Sequence, residues 1–294
     1  MQLHNFSAGP SILPKEVMYQ AGEAVKELDN SKLSLIEISH RSKAFIEIMD
    51  EACGLALRLT GLENQGYKAL FVQGGASLQF LMIAYNLLQS KAGYLNTGTW
   101  SDKAIKEAKL FGDVVEVSSS KDKNYNYIPK DYSIPSGLDY LHITTNNTIF
   151  GTQYKSIPKT TSPLVADMSS DIFSRNFDYS RFDLFYAGAQ KNMGPAGATL
   201  VIVKEDILGK VTRTIPSILD YSVHVKSGSM FNTPPVFSVY TSLLTLRWIE
   251  KQGGIKSIGD KNILLWKISA VNNFFKHMDQ IIELSMNITT YLFN

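Results

Sequence analysis

The sequence predicts an α/β protein with a mainly parallel β-sheet that is covered by helices on both faces. Short apolar runs alternate with amphipathic segments from residue 69 to residue 203, which is typical of strand–helix–strand units. Glycine, aspartate or lysine follows several of these runs, and a parallel sheet gathers its ligands at the carboxyl ends of its strands. The predicted strands are residues 69–72, 92–95, 114–117, 140–144, 164–167, 184–186 and 199–203.

The predicted helices rest on apolar spacing and on residues that favour helix starts. Pro14 can open the first helix, and Pro234 stands at the start of another. Residues 1–14 are expected to form an extended arm. The predicted helices are residues 15–29, 42–58, 77–88, 101–110, 234–250 and 257–280.

Composition restricts the class of protein. The chain has 294 residues, 44% hydrophobic and 19% charged, as in ordinary globular proteins, and its length suits one large domain with or without a small companion. The formal net charge of +2, without basic runs interleaved with aromatics, argues against a nucleic-acid partner. No run approaches the roughly 18 apolar residues of a membrane span, and the start lacks the pattern of a secretory signal.

Cysteine and histidine usage exclude further classes. Cys53 is the only cysteine, which excludes a disulfide framework and predicts a cytoplasmic location. The histidines show no metal-ligand spacing, so no metal is expected. No glycine-flanked nucleophile elbow is present, which argues against a serine hydrolase.

Lys191 is the first candidate catalytic residue. It stands among the small residues of segment 188–197, just after the apolar run 184–186, where a solvated surface charge is hard to explain. Pyridoxal phosphate chemistry needs such a lysine, because its amine holds the cofactor aldehyde as a Schiff base and later moves a proton at the substrate α-carbon. The alternative is a surface lysine in a glycine-rich turn.

Asp167 is the second candidate, at the end of the apolar run 164–167. A carboxylate beside the pyridine nitrogen keeps that nitrogen protonated, which makes the ring a better electron sink. The alternative is a helix N-cap, since residues 168–171 could open a helix. One lysine and one aspartate, each after a buried strand, together favour pyridoxal phosphate as the cofactor.

Further polar residues and one aromatic residue stand at strand ends or helix entrances. Residues 74–77 could cradle a phosphate with backbone N–H groups and a serine hydroxyl, although most Gly-Gly pairs are only turns. Trp100 could stack on the pyridine ring or fill the core, and Thr148 could bond the cofactor's phenolic oxygen or belong to a polar turn. His40 and Arg41 suit an anionic substrate, because arginine donates two parallel hydrogen bonds to a carboxylate or a phosphate. The alternative is that both residues lie in a solvated helix entrance.

Taken together, these segments resemble the phosphoserine aminotransferase family, class V aminotransferases among the fold-type I pyridoxal phosphate enzymes. The resemblance runs from Asn5 to about Trp266 and therefore covers most of the chain. Its motifs occur in the family's order and are FSAGP (6–10), ISHRS (38–42), QGGAS (73–77), YAGAQKN (186–192) and GSMFNTPP (228–235).

The resemblance implies roles for individual residues. Lys191 would carry the Schiff base and Asp167 would pair with the ring nitrogen. His40 and Arg41 match the family's residues for the substrate anion. The family is a homodimer with active sites at its interface, so two of the implied cofactor residues, Asn232 and Thr233, would reach the phosphate from the second subunit. The implied cofactor-binding residues are Ala76, Ser77, Trp100, Thr148, Asp167, Gln190, Lys191, Asn232 and Thr233.

The implied reaction exchanges an amino group between O-phospho-L-serine and 2-oxoglutarate, yielding 3-phosphohydroxypyruvate and glutamate in serine biosynthesis. The same family often also serves pyridoxine biosynthesis through a phosphorylated hydroxythreonine. The expected partners are therefore a phosphorylated amino acid, a 2-oxo acid and a second copy of the chain, with no nucleic acid and no membrane.

Compared with that family, the sequence stops early, because members continue for several tens of residues. The resemblance implies an arm plus a large cofactor-binding domain over residues 1–254 and the start of an incomplete small domain over residues 255–294. A substrate-binding histidine and arginine of the missing part have no counterpart here. Residues 276–280 look shortened, and residues 283–284 replace basic residues of the family. The apolar tail 290–294 predicts an unpaired strand edge that favours aggregation.

Three functions remain open from the sequence. The first is an active phosphoserine aminotransferase. The second is a non-catalytic remnant that binds pyridoxal phosphate, since loss of the substrate-gripping arginine weakens transition-state binding. The third is another class V enzyme, such as an alanine–glyoxylate type transaminase or a cysteine desulfurase. The position of Cys53 in a helix argues against the desulfurase, and the His40–Arg41 pair favours a phosphorylated substrate over alanine.

Overall fold

A single seven-stranded sheet organises the computed structural model, which describes residue 5 and residues 7–271. Its spatial order is β1-β7-β6-β5-β4-β2-β3, in which β7 is antiparallel to both neighbours and every other pair is parallel. The predicted mainly parallel sheet is thus confirmed. The strands are β1 (Tyr67–Val72), β2 (Lys91–Asn96), β3 (Asp113–Ser119), β4 (Tyr140–Thr144), β5 (Leu164–Asp167), β6 (Leu184–Gly188) and β7 (Thr199–Lys204).

The helices lie close to their predicted positions. Ser42 begins the second helix, because its side chain accepts a hydrogen bond from the backbone N–H of Phe45, and Gly61 ends it in the left-handed conformation at φ 71°. One short helix, α5, was not predicted, and the helix predicted over residues 257–280 runs past the described part. The helices are α1 (Lys15–Lys26), α2 (Lys43–Thr60), α3 (Gly75–Leu87), α4 (Thr99–Ala108), α5 (Tyr221–Lys226), α6 (Val236–Lys251) and α7 (Gly254–Val271).

Side chains alternate between the two faces of the sheet, and each face has its own apolar core. On β6, Phe185 and Ala187 pack in the core that contains residues of α1, α2, α6 and α7. Leu184 and Tyr186, the alternate residues of the same strand, pack in the core that contains residues of α3 and α4. The strands are therefore buried on both sides, which explains why their sequences are apolar throughout rather than alternating.

The core on the α3–α4 side contains a buried polar aromatic cluster, formed by Tyr94, Tyr140, His142 and Tyr186. The His142 Nε2 atom lies 3.0 Å from the Tyr186 hydroxyl, and the imidazole stacks on Tyr94 with 4.9 Å between ring centroids. The Tyr94 and Tyr140 hydroxyls are 2.7 Å apart. Burial lowers the pKa of His142 to about 3, so this histidine is neutral in the folded protein.

We expect His142 to make the fold sensitive to acid. The unfolded chain protonates this histidine below about pH 6.5, whereas the folded chain keeps it neutral, so stability is present above that pH and is lost as the pH falls towards 3. Between pH 6 and 4 the wild type should lose about 1.4 kcal/mol of unfolding free energy per pH unit relative to His142→Phe. Urea unfolding of both proteins at several pH values measures this difference. A constant difference across that range would show that His142 does not titrate as described.

The predicted division at residue 255 stays a prediction. Ile255 and Ile258, in the first turns of α7, are buried in the same core as α1, α2 and α6. The expectations for residues 276–280, 283–284 and 290–294 lie outside the described residues. None of the helices in the described part is long and apolar enough to cross a membrane.

Candidate active site

Four candidate residues come together at one edge of the sheet. The neighbouring strands β6, β5, β4 and β2 are parallel, so their carboxyl ends share that edge. Trp100 follows β2, Thr148 follows β4, Asp167 is the last residue of β5, and Lys191 follows β6. Residues far apart in the sequence are therefore placed side by side by the strand order alone.

Lys191 points its amine at two of these residues. The Nζ atom lies 3.5 Å from the Thr148 hydroxyl and 5.9 Å from the centroid of the Trp100 ring. Burial lowers the pKa of Lys191, and the carboxylates of Asp167 and Asp171 oppose that change. A lysine whose pKa is lowered loses its proton more readily, which is the state that a nucleophile or a base requires.

Asp167 is a buried carboxylate with only 4% of its surface exposed. Its Oδ1 atom accepts a hydrogen bond of 2.9 Å from the backbone N–H of Ser169. Residues 168–173 form turns and no helix starts there, so Asp167 does not cap a helix. Burial raises the pKa of Asp167, while Ser169 and the Lys191 charge lower it. A cation beside such a buried carboxylate stabilises its charged form, and a protonated ring nitrogen would be such a cation.

Trp100 and Thr148 form a pair across the site. The Trp100 Nε1–H donates to the Thr148 hydroxyl over 3.3 Å, and both residues are half-buried. The turn before Trp100 packs closely on the loop of Thr148, since a Cβ on Gly98 would lie 2.4 Å from the Asn147 Oδ1 atom. The indole is thus held next to the lysine amine, where it can cover one face of a ring.

The predicted phosphate cradle joins β1 to α3. Gly74 and Gly75 have φ values of 92° and 64°, which favour glycine, and Gly74 is the N-cap of α3, whose first N–H groups have no acceptor within the helix. Ala76 is half-buried and Ser77 is exposed at this helix N-terminus. Gln190 is half-buried beside Lys191. The exposed donors of the first turn suit a phosphate group.

The loop that carries Asn232 and Thr233 lies beside this cradle in the same chain. The Gln73 side-chain amide donates a 2.7 Å hydrogen bond to the Thr233 carbonyl oxygen. Asn232 is half-buried and Thr233 is exposed, so both remain accessible at the protein surface. The predicted reach of these residues into a second subunit stays a prediction.

The predicted role of His40 and Arg41 in binding the substrate anion stays a prediction. They lie just before α2, where His40 is half-buried and Arg41 is exposed. The buried His40 Nε2 atom has no hydrogen-bond partner among the described residues. Within the described part of the chain, no hydrogen bond or ion pair joins either side chain to Lys191 or Asp167.

One charged residue near the site was missed by the sequence analysis. Asp171 is fully buried and accepts a 2.5 Å hydrogen bond from the Thr145 hydroxyl. Arg175 donates to the same carboxylate through Nε (3.2 Å) and Nη2 (2.9 Å). Burial raises the pKa of Asp171, and Arg175 opposes that change. The sequence did contain a signal for this pair, since Asp171 and Arg175 stand four positions apart in an otherwise uncharged segment.

Comparison with known proteins supports the same chemistry. The family model for aminotransferase class-V matches residues 3–270. A phosphoserine aminotransferase of Flavobacterium johnsoniae is 58% identical over 100% of this chain and 84% of its own length. One from Bacteroides fragilis is 55% identical over 88% of this chain and 72% of its own.

Solved structures give the same result. A phosphoserine aminotransferase studied for radiation damage of its Schiff base superposes with a TM-score of 0.87 at 44% identity, covering 93% of this chain and 79% of the other. The pyridoxal phosphate-bound enzyme of Trichomonas vaginalis gives 0.83 at 34% identity, covering 89% of this chain and 74% of the other. The chain belongs to the class V aminotransferases and, within them, to the phosphoserine aminotransferase family. Pyridoxal phosphate is the cofactor of this family, and the fold-type I architecture is confirmed.

The residues at the sheet edge fit that cofactor. An amine of lowered pKa faces the indole of Trp100, a buried carboxylate ends the adjacent strand, and a helix N-terminus with exposed donors follows β1. These are the groups that an aldehyde, a pyridine nitrogen and a phosphate respectively require.

Proposed function

We propose that this chain exchanges an amino group between O-phospho-L-serine and 2-oxoglutarate, giving 3-phosphohydroxypyruvate and glutamate. The observation that carries the proposal is the placement of Lys191 beside Trp100 and Thr148, with the buried Asp167 on the adjacent strand. The substrate class is supported by relatives named phosphoserine aminotransferase at more than half identity.

The side chains of this site have separable roles. Pyridoxal phosphate, when bound, supplies an aldehyde that joins amines and a ring that accepts electrons. Lys191 would provide the amine that holds the aldehyde and, once free, would move a proton between the substrate α-carbon and the former aldehyde carbon (C4′) of the cofactor. Asp167 would keep a proton at the ring nitrogen, since that positive charge would stabilise its buried carboxylate. Trp100 would cover the ring and exclude water, and the Thr148 hydroxyl, 3.5 Å from the Lys191 amine, would bond the phenolic oxygen of the cofactor.

Phosphate groups would be held at two places. Ala76 and Ser77 offer backbone N–H groups and a hydroxyl at the start of α3, and Gln190 adds a side-chain amide. These residues would hold the cofactor phosphate. His40 and Arg41 would bind the substrate anion, because a histidine with a free ring nitrogen and an exposed arginine suit a phosphorylated substrate.

An absorbance experiment tests this function. Purified protein is incubated with pyridoxal phosphate until its visible band is constant, and phosphoserine is then added. A band that forms and shifts, followed by glutamate production from 2-oxoglutarate, is the expected result. A band that forms without responding to phosphoserine would indicate the non-catalytic remnant. A response to alanine but not to phosphoserine would indicate a different class V transaminase.

A cysteine desulfurase is disfavoured by the state of Cys53. The thiol lies within α2, and burial raises its pKa to about 12, so it carries almost no thiolate near neutral pH. A desulfurase needs a reactive thiolate, which this residue does not supply.

We also propose a homodimer with shared active sites. Large apolar side chains are exposed on α1, on α2 and on the segment between them, and a second copy of the chain would cover them. A partner that completes the site would also give a role to His40, Arg41, Asn232 and Thr233, none of which forms a hydrogen bond with Lys191 among the described residues. The exposed apolar residues are Met18, Tyr19, Leu33, Ile36 and Ile46.

Mixing two inactive variants tests this sharing. In a mixed dimer of Lys191→Ala and Asn232→Asp, one site has an intact lysine and an intact partner asparagine, so about a quarter of all sites should be active after random exchange. Mixing Lys191→Ala with Asp167→Asn is the matched control. The same subunit supplies both residues to a given site, so a mixed dimer contains no intact site and no activity should return. Absence of recovery in demonstrated mixed dimers would place Asn232 in its own subunit's site.

We further propose a cytoplasmic location and a second biosynthetic role. A cytoplasmic location is supported by the single cysteine with its unreactive thiol. Besides serine biosynthesis, we propose a role in pyridoxine biosynthesis, since a phosphorylated hydroxythreonine presents the same phosphate and amine as phosphoserine. The ratio of kcat/KM for the two substrates measures which role dominates.

A further inference from the structure

The N-terminal segment 9–11 contacts the candidate lysine directly. A Cβ built on Gly9 would lie 2.9 Å from Cγ and 3.2 Å from Cε of Lys191, so the methylene stem occupies the space that a side chain at position 9 would need. The Ser11 N–H donates a 3.0 Å hydrogen bond to the Gln190 carbonyl, and its hydroxyl donates to the carbonyl of Lys191. The segment is thus hydrogen-bonded to the backbone of Gln190 and Lys191, and it lies against the Lys191 side chain.

From this geometry we propose that Gly9 and Ser11 are positioning residues that set the direction of the Lys191 amine. This inference rests on the proposed function, since it concerns how the lysine meets the cofactor aldehyde. The two hydrogen bonds of Ser11 prevent the segment from moving away, and the missing side chain of Gly9 leaves room for the stem. The lysine amine then faces Thr148 and Trp100 instead of solvent.

The φ angle of Gly9 makes a clean test possible. Gly9 lies outside the left-handed region, so alanine fits the backbone, and the three atoms nearest to the added methyl group all belong to the stem of Lys191. Gly9→Ala should therefore move the amine without disturbing the fold. Gly22→Ala is the matched control, because Gly22 lies exposed on α1 with nothing within 4 Å of a built Cβ.

The test compares pyridoxal phosphate with deoxypyridoxine phosphate, an analogue in which a methyl group replaces the aldehyde. The analogue occupies the site through its ring and phosphate but cannot react with the lysine. For Gly9→Ala we expect the visible band to form about tenfold more slowly and affinity for pyridoxal phosphate to fall about tenfold, equivalent to ~1.4 kcal/mol, while analogue affinity is unchanged. Gly22→Ala should match wild type for both ligands.

Ser11→Ala provides a second, independent variant. Losing the hydroxyl frees the segment from the Lys191 carbonyl, so it should also slow band formation without changing analogue binding. Equal weakening of both ligands would show a general disturbance of the site, and wild-type behaviour of both variants would show that the lysine needs no such support; either result overturns the inference. If wild type itself forms no band, the proposed function fails instead.

Discussion

Lys191→Ala is expected to abolish transamination, lowering kcat by roughly 10⁴-fold, the upper range for loss of a positioned acid–base group. The amine that faces Thr148 and Trp100 would be gone, and no other lysine amine is within hydrogen-bond reach of Thr148 in the described part of the chain. The protein should still fold, because the half-buried lysine contributes little to either core. Single-turnover transamination and the visible absorbance of the loaded protein measure the effect.

Two controls distinguish loss of the amine from loss of the charge. Lys191→Arg keeps a positive charge, but a guanidinium cannot lose its proton or join an aldehyde, so it should be as inactive as alanine. Lys210→Ala removes an exposed lysine and should leave activity unchanged. If Lys191→Ala kept the wild-type visible band, another lysine would be the attachment point and the assignment of the cofactor site would be wrong.

Asp167→Ala is expected to impair turnover far more than cofactor retention. Loss of one preorganised electrostatic partner typically lowers kcat by about 10²–10³-fold, whereas the ring and phosphate contacts of the cofactor remain. Asp167→Asn preserves the shape and the hydrogen bond from Ser169 but cannot balance a protonated ring nitrogen, so it should behave similarly. Steady-state kinetics with a parallel cofactor titration separates the two effects.

The exposed carboxylate of Asp131 offers a control for this residue. Asp131→Ala should not change kcat, since that residue lies at the surface. Cofactor loss from Asp167→Ala as complete as from Lys191→Ala would contradict the assigned role, because it would make Asp167 a binding residue rather than an electronic partner.

Most of the sheet was predictable because its strands are buried on both faces. A run such as residues 200–203 stays apolar throughout, and β7 occupies that position with Val201 and Val203 on one side and Leu200 and Ile202 on the other. That β7 runs antiparallel could not be predicted, since apolar patterns carry no direction. Helix α5 was missed because six residues are too few for a periodic pattern; its start depends on the Asp220 side chain accepting from the Ser222 N–H.

The site was predictable where chemistry alone restricts residue type. A lysine among small residues and an aspartate at a strand end are uncommon unless something uses them, so Lys191 and Asp167 were identifiable. Gly9 was not, since its closeness to Lys191 joins residues far apart in the sequence and depends on how the arm folds back. His40 and Arg41 were proposed from residue type and from the family resemblance, and their role stays a prediction.

Borohydride reduction followed by peptide mass mapping addresses the attachment of the cofactor most directly. Protein loaded with pyridoxal phosphate is reduced, digested and sequenced by mass spectrometry. The phosphopyridoxyl group should be found on the peptide that contains Lys191 and on no other lysine, and prior addition of phosphoserine should remove it. Its recovery on a different lysine, or its absence from a protein that shows the visible band, would contradict the site described here.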